Sequence, residues 1–109
     1  MKLTITEDVL FTDQAATGTS QTKRIRAIKK TFQARGTAST AGAATIVVEA
    51  TNFDDAANGD WTTLGTITLT LGATSTSDGF TSDAPWKYVR ARITAISGAT
   101  PSVDVVVAG

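Results

Sequence analysis

The chain has no cysteine and no histidine, only two prolines, one methionine, and aromatic residues at 6%. Each shortage excludes something. Without cysteine there is no disulfide frame, no thiolate nucleophile, and no zinc or iron–sulfur site built on thiolates. Without histidine the commonest general base and the commonest transition-metal ligand are missing, so most nucleophile–base arrangements cannot be assembled from this chain alone. An excess of one charge is also missing. Ten Lys and Arg stand against ten Asp and Glu, a balance that argues against a dedicated nucleic-acid binder. No continuous apolar run is long enough to span a bilayer, so no membrane partner is expected. Met1–Asp8 carries one basic residue, then alternation, then two acids, and lacks the apolar core of a signal peptide. At 41% apolar and 18% charged, the 109 residues are too apolar for a disordered chain and fit one folded domain. The expectation is a binding or structural module with no catalytic residues, no cofactor and no metal.

What the chain has in excess is threonine, at 21 positions, followed by 17 alanines and 9 glycines. Apolar and polar residues alternate in runs bounded by turn signals, the signature of an all-β antiparallel sandwich. In Leu64–Leu71, Ile67, Leu69 and Leu71 point one way and Thr66, Thr68 and Thr70 the other. β-branched threonine suits the solvated face of such a strand. Ala44–Thr51, Tyr88–Ile96 and Val103–Val107 are further strands. Between them, Asn52–Asp60 reads as a solvated hairpin loop with φ > 0 at Gly59, and Asp78-Gly79, Asp83-Ala84-Pro85 and Ser97–Pro101 read as turns.

The first third is patterned differently. Ile25, Ile28 and Phe32 fall at helical spacing, yet Arg24–Ile28 and Lys30–Ala34 also read as two strand pieces, and the alternation of Phe32, Ala34 and Gly36 favours strands. Residues 1–22 are expected to form a weakly patterned amino-terminal strand or arm, and residues 23–109 the sandwich.

Three groups of residues are candidates for function. Lys23, Arg24, Arg26, Lys29, Lys30 and Arg35 hold six of the ten basic residues in a stretch with no acid. That stretch is either a strand edge protected by charge or a surface for an acidic protein partner. It has no interleaved aromatic platform of the kind nucleic-acid binding uses. Trp61 and Trp86 read as plugs at the ends of the core, as does Phe80 within it; together with Tyr88, the two indoles would alternatively stack sugar rings. Asp54, Asp55, Asn58 and Asp60 offer oxygen ligands, but their spacing misses the calcium-loop pattern and reads as a polar turn. No carboxylate pair has apolar surroundings or a partner base that would make it catalytic.

Thr45–Asn52, then Trp61–Gly65, then Asp78–Gly98 together resemble small β-sandwich virion proteins of tailed bacteriophages, nearest in type to the jelly-roll capsid decoration, or cement, proteins. The same order of elements also looks like discoidin-type ligand-binding sandwiches. The resemblance covers residues 30–109. It implies a jelly-roll fold and a dimer or trimer on the outer surface of the virion, made in the bacterial host cytoplasm. Its partner would be the major capsid protein of the phage head, and it would stabilise the shell against internal DNA pressure by binding several subunits at once. In that setting Met1–Thr22 would reach over a neighbouring subunit and Lys23–Arg35 would meet an acidic capsid surface. A tail or fibre accessory protein, or a discoidin-like carbohydrate-binding module using Trp61, Trp86 and Tyr88, are the alternatives.

Overall fold

Alternating runs become strands throughout. A computed structural model describes residues 7–109, so Met1–Thr6 of the expected arm lie outside the described residues. The strands are β1 (Glu7–Gln14), β2 (Gly18–Thr19), β3 (Lys23–Arg24), β4 (Lys30–Thr37), β5 (Gly42–Thr51), β6 (Thr62–Leu71), β7 (Thr76–Ser82), β8 (Tyr88–Ile96) and β9 (Ser102–Ala108). Among the described residues the helical content is one 3-10 turn, Asn58–Asp60. The two pieces β2 and β3 lie along the same neighbour, β8, and act as one broken strand.

All pairings are antiparallel, and those of β1 with β9, β2 and β3 with β8, β4 with β7 and β5 with β6 are nested. Glu7 faces Ala108, Gly18 faces Ile93, Lys30 faces Ser82 and Gly42 faces Leu71. The chain is therefore one long hairpin with its tip at the β5–β6 loop, folded over on itself. Two further pairings, β4 with β9 and β5 with β8, close it into sheets ordered β1-β9-β4-β7 and β2/β3-β8-β5-β6. That order is a jelly roll, and the fold class is an all-β antiparallel sandwich.

The core lies between the sheets. Val103, Val105 and Val107 of β9 and Phe32 and Ala34 of β4 face Ala44, Ile46 and Val48 of β5 and Val89, Ala91 and Ile93 of β8, all buried. Ile67, Leu69 and Leu71 join them while Thr66, Thr68 and Thr70 stay exposed, as their alternation requires. Phe80 of β7 stacks on Phe32 with centroids 5.1 Å apart, and a Cβ at Gly65 would meet its ring at 2.7 Å. Glycine at 65 thus makes room for the aromatic pair that joins the two sheets at this edge.

One local expectation resolves and two change. Of the strand or arm expected for residues 1–22, residues 7–14 form a strand: β1 pairs with β9, and the register shift between Val9 and Phe11 turns the consecutive Leu10 and Phe11 both into the core. Asp78-Gly79 is not a turn but mid-strand, because β7 pairs with β4 along its whole length. A Cβ at Gly79 would meet the Phe32 carbonyl oxygen at 2.3 Å, so close approach rather than turning requires this glycine. Gly59 has no positive φ, since the 3-10 turn reverses the chain with the Asp60 carboxylate accepting the Ala57 amide at 2.8 Å. The positive-φ glycine is Gly98, at +101° in the Ser97–Pro101 turn.

The roll also sorts charge. Loops 15–17, 38–41, 72–75 and 97–101 meet at one end and contain no charged residue. Backbone bonds from Ala38 to Gly72 and from Ser39 to Ala99, both 2.8 Å, sew that end together. Loops 25–29, 52–61 and 83–87 meet at the other end and carry Arg26, Lys29, Asp54, Asp55, Asp60, Asp83 and Lys87.

The alternation is testable on neighbouring positions of β4. Phe32→Ala should cost about 3–5 kcal/mol, through lost burial and the cavity left behind, whereas exposed Thr31→Ala should stay within about 0.5 kcal/mol; urea denaturation midpoints measure both.

Candidate functional site

The charged end brings together residues that are far apart in sequence. Arg24 of β3 faces Tyr88 at the start of β8, which in turn faces Thr51 at the end of β5. The loops leaving these strands enclose an open cleft of about 510 Å³ lined by Arg24, Arg26, Asn52, Pro85, Trp86 and Lys87. Two groups picked out separately in the sequence, the basic stretch and the aromatic residues, therefore meet there. The cleft is held from its floor and its rim. Asn52 Oδ1 accepts the Lys87 amide at 2.9 Å, and Trp86 packs on the edge of the core. Asp54 Oδ1 accepts the Tyr88 hydroxyl at 2.6 Å and lies 2.7 Å from Lys87 Nζ.

These contacts set the local titration. The hydrogen bond from Lys87, then that from Tyr88, holds the Asp54 carboxyl below its ordinary value, and the bond to Asp54 raises the Tyr88 phenol above its own. For Tyr88 a raised folded value means that the bond contributes stability below the ordinary phenol value of about 10 and loses it as pH rises through the folded value. For Asp54 the contribution is present above the ordinary carboxylate value of about 3.9 and is lost as pH falls through the depressed one.

The six basic candidates do not share one surface. Among the described residues, Lys23, Arg24, Arg26 and Lys29 form no ion pair, and they project from β3 and the loop after it. Lys30 is not a surface residue. It is 1% exposed, and its ammonium donates to the carbonyls of Ala84 at 3.0 Å and Ile28 at 3.3 Å, tying loops 25–29 and 83–87 together. Burial lowers its pKa. It faces inward because alternation on β4 places it in register with Phe32 and Ala34. Arg35, on the same strand, lies on the outer face of the sheet, where its Nε is 2.9 Å from Asp104 on β9. The Asp13 amide first, and Arg35 with it, keep that aspartate's pKa low. Two large apolar side chains, Ile28 and Phe53, are both 61% exposed on the loops at the charged end.

Of the three aromatic candidates, Trp86 lines this cleft. Trp61 is not a core plug: its ring lies on the outer face of the second sheet under the Arg90 guanidinium, 4.2 Å away. Beneath them is an ion cluster that alternation alone would have put in solvent. Glu49 and Arg90 face each other across β5 and β8, and Arg90 Nε donates to Glu49 Oε1 at 3.0 Å. Arg92 reaches Glu49 Oε2 at 3.4 Å, and Arg90 reaches Asn58 at 3.4 Å. The β5–β6 loop folds down over this pair, so Glu49 is 6% and Arg90 9% exposed. The signal in the sequence was a lone acid in an apolar strand and two arginines two residues apart. Among the described residues no cluster of three potential metal-ligating side chains forms, and no helix is long and apolar enough to cross a membrane. The acidic loop's Asp54 and Asp60 are used within the chain instead.

No family model matches the chain, and no curated protein matches it. Solved structures do. A chain in the structure of infectious bursal disease virus, Gx strain, superposes with a TM-score of 0.58 at 15% identity, covering 96% of this chain and 31% of that one. The PBSX exported protein XepA superposes with a TM-score of 0.51 at 10% identity, covering 94% of this chain and 36% of that one. The chain spans less than half the length of either. At these identities the likeness is one of fold, the antiparallel sandwich of jelly-roll type.

Two measurements check the site. Tyr88 is the one tyrosine of the chain, so absorbance at the phenolate band should give a single transition above the ordinary tyrosine value, and Asp54→Asn should move it down. Glu49→Ala should cost about 3–5 kcal/mol in denaturant melts, because it leaves Arg90 buried without its carboxylate.

Proposed function

We propose that this protein is a virion structural protein of a tailed bacteriophage, and within that class a capsid decoration protein that binds the outside of the head. The observation that carries the reading is an unpaired cationic loop with large apolar side chains beside it, presented at one end of a jelly roll whose other end is neutral and closed. Arg24, Arg26 and Lys29 have no carboxylate partner among the described residues, and Ile28 and Phe53 stand exposed around them. Charge to steer and orient, with apolar anchors to bury, is the composition of a protein-binding surface. An acidic surface of the major capsid protein is the partner this cationic loop fits.

The fold suits the role. A sandwich of this kind needs no cofactor, redox compartment or titrating histidine, and its work is contact. Fold likeness to a chain of infectious bursal disease virus and to a PBSX exported protein supports a virion setting, as does the resemblance of Asp78–Gly98 to the decoration proteins. Catalysis is not part of the reading. The one buried carboxylate among the described residues, Glu49, is already held by Arg90 and Arg92.

Cosedimentation with phage heads purified without this protein tests the proposal. The wild-type chain should bind, with affinity falling as salt rises. Arg24→Glu with Arg26→Glu should weaken binding at least tenfold, and Arg35→Glu on the opposite sheet should leave it near wild type. Recovery of the protein with tails rather than heads would move it to a tail accessory role, and salt-independent binding would remove the cationic loop from the interface.

A further inference from the structure

Each sheet has two edges, and three of the four are guarded. The β1 edge carries Glu7, Asp8 and Asp13, the broken β2/β3 edge carries Lys23 and Arg24, and β7 carries Asp78. Charges on an edge strand discourage pairing with another chain. The fourth edge, β6, is ten residues long and has neither charge nor proline; it lies within residues 61–77, the longest uncharged stretch of the sequence.

The hydrogen-bond directions show what β6 offers. Ala43 exchanges bonds with Ser97 on the β8 side, amide to Oγ at 3.0 Å and carbonyl from the Ser97 amide at 2.8 Å. Alternate residues of β5, Ala44, Ile46 and Val48, therefore turn toward β6 and meet Leu69, Ile67 and Gly65. The backbone groups of Thr66, Thr68 and Thr70 then point away from the sheet. The Thr70 carbonyl is taken by the Thr76 hydroxyl at 2.7 Å. Thr66 and Thr68, both exposed, keep amide and carbonyl open among the described residues.

We infer that β6 is a self-pairing edge, where two copies of this chain join antiparallel about a two-fold axis at Ile67 to make one continuous sheet of eight strand positions. In that register Thr66 of each copy faces Thr68 of the other, and their open groups complete four backbone hydrogen bonds. Threonine side chains then pair across the seam on the outer face. Two-fold pairing brings every side chain near the axis close to its own duplicate, so any charge there would repel its copy. Neutrality over residues 61–77 removes that repulsion, which is why the partner is a second copy and not a charged foreign strand. The contact leaves the charged end free, and it stands or falls independently of the function proposed above.

Sedimentation of the full chain over a rising concentration series should give a species of twice 11.3 kDa. Thr66→Lys with Thr68→Lys places like charges across the axis, and Thr66→Pro removes an outward amide without touching a bond to β5. Both should weaken association at least tenfold while circular dichroism stays that of a β protein. Should either variant fail to fold, hydrogen exchange on the wild-type chain decides the matter: the Thr66 and Thr68 amides should gain protection as concentration rises. A chain that stays monomeric, a trimer, a dimer unmoved by the folded variants, or concentration-independent exchange at those two amides would each overturn the inference.

Discussion

Closure of the roll depends on two strands from the end of the chain slotting between strands from its beginning: β9 between β1 and β4, and β8 between the broken β2/β3 strand and β5. Val103, Val105 and Val107 on one, and Val89, Ala91 and Ile93 on the other, are buried to within 1% of complete. Apolar burial at about 25 cal/mol per Å² is what holds the two sheets together, and neither sheet has any other way of covering its inner face. Because these contacts join residues far apart in sequence, they form only after long loops have closed, and slow folding is the expected consequence.

The same closure decides where the loops go. In a nested hairpin folded into a roll, only the β5–β6 connection stays within a sheet, and every other connection passes from one sheet to the other. The loops therefore collect at two ends. One end is built from Ala, Ser, Thr, Gly and Pro and is bound to itself through backbone hydrogen bonds. The other gathers nearly all the loop charge, with the cationic side chains of Arg24 and Arg26 beside the Asp54–Lys87–Tyr88 contacts. A net charge of zero thus hides one end without loop charge and another where acids and bases crowd together.

The Arg90–Glu49 pair plays a second, local part. A charge pair taken out of water pays a desolvation cost that good geometry and added hydrogen bonds must offset. Here the registered facing of the two strands, the second bond from Arg92 and the stacking of Trp61 supply that compensation. The result is that the tip loop of the hairpin is clamped to the outer face of the sheet, which fixes Asn52 and Asp54 where the cleft needs them. The clamp and the cleft are parts of one loop arrangement.

The sequence by itself determined the class of the fold and most of its strands. Alternation at Ala44–Thr51, Leu64–Leu71 and Tyr88–Ile96 is local, and a period of two says which side chains are inside without knowing what lies opposite. The jelly-roll type rested on a resemblance, and the strand order that closes it came only with the pairing. Where alternation was broken, local reading failed for physical reasons. The bulges in β1 turned Leu10 and Phe11 to the same side, and pairing with β4 drew Asp78-Gly79 out of the turn its composition suggested. Lys30 and Arg35 looked like members of one basic stretch, yet only the fold could bury the first among carbonyls and leave the second on the outer face of the same strand. Trp61 and Glu49 show the same limit: whether an outward-facing side chain meets water or a covering loop depends on contacts between residues distant in the chain, and no local pattern carries that information.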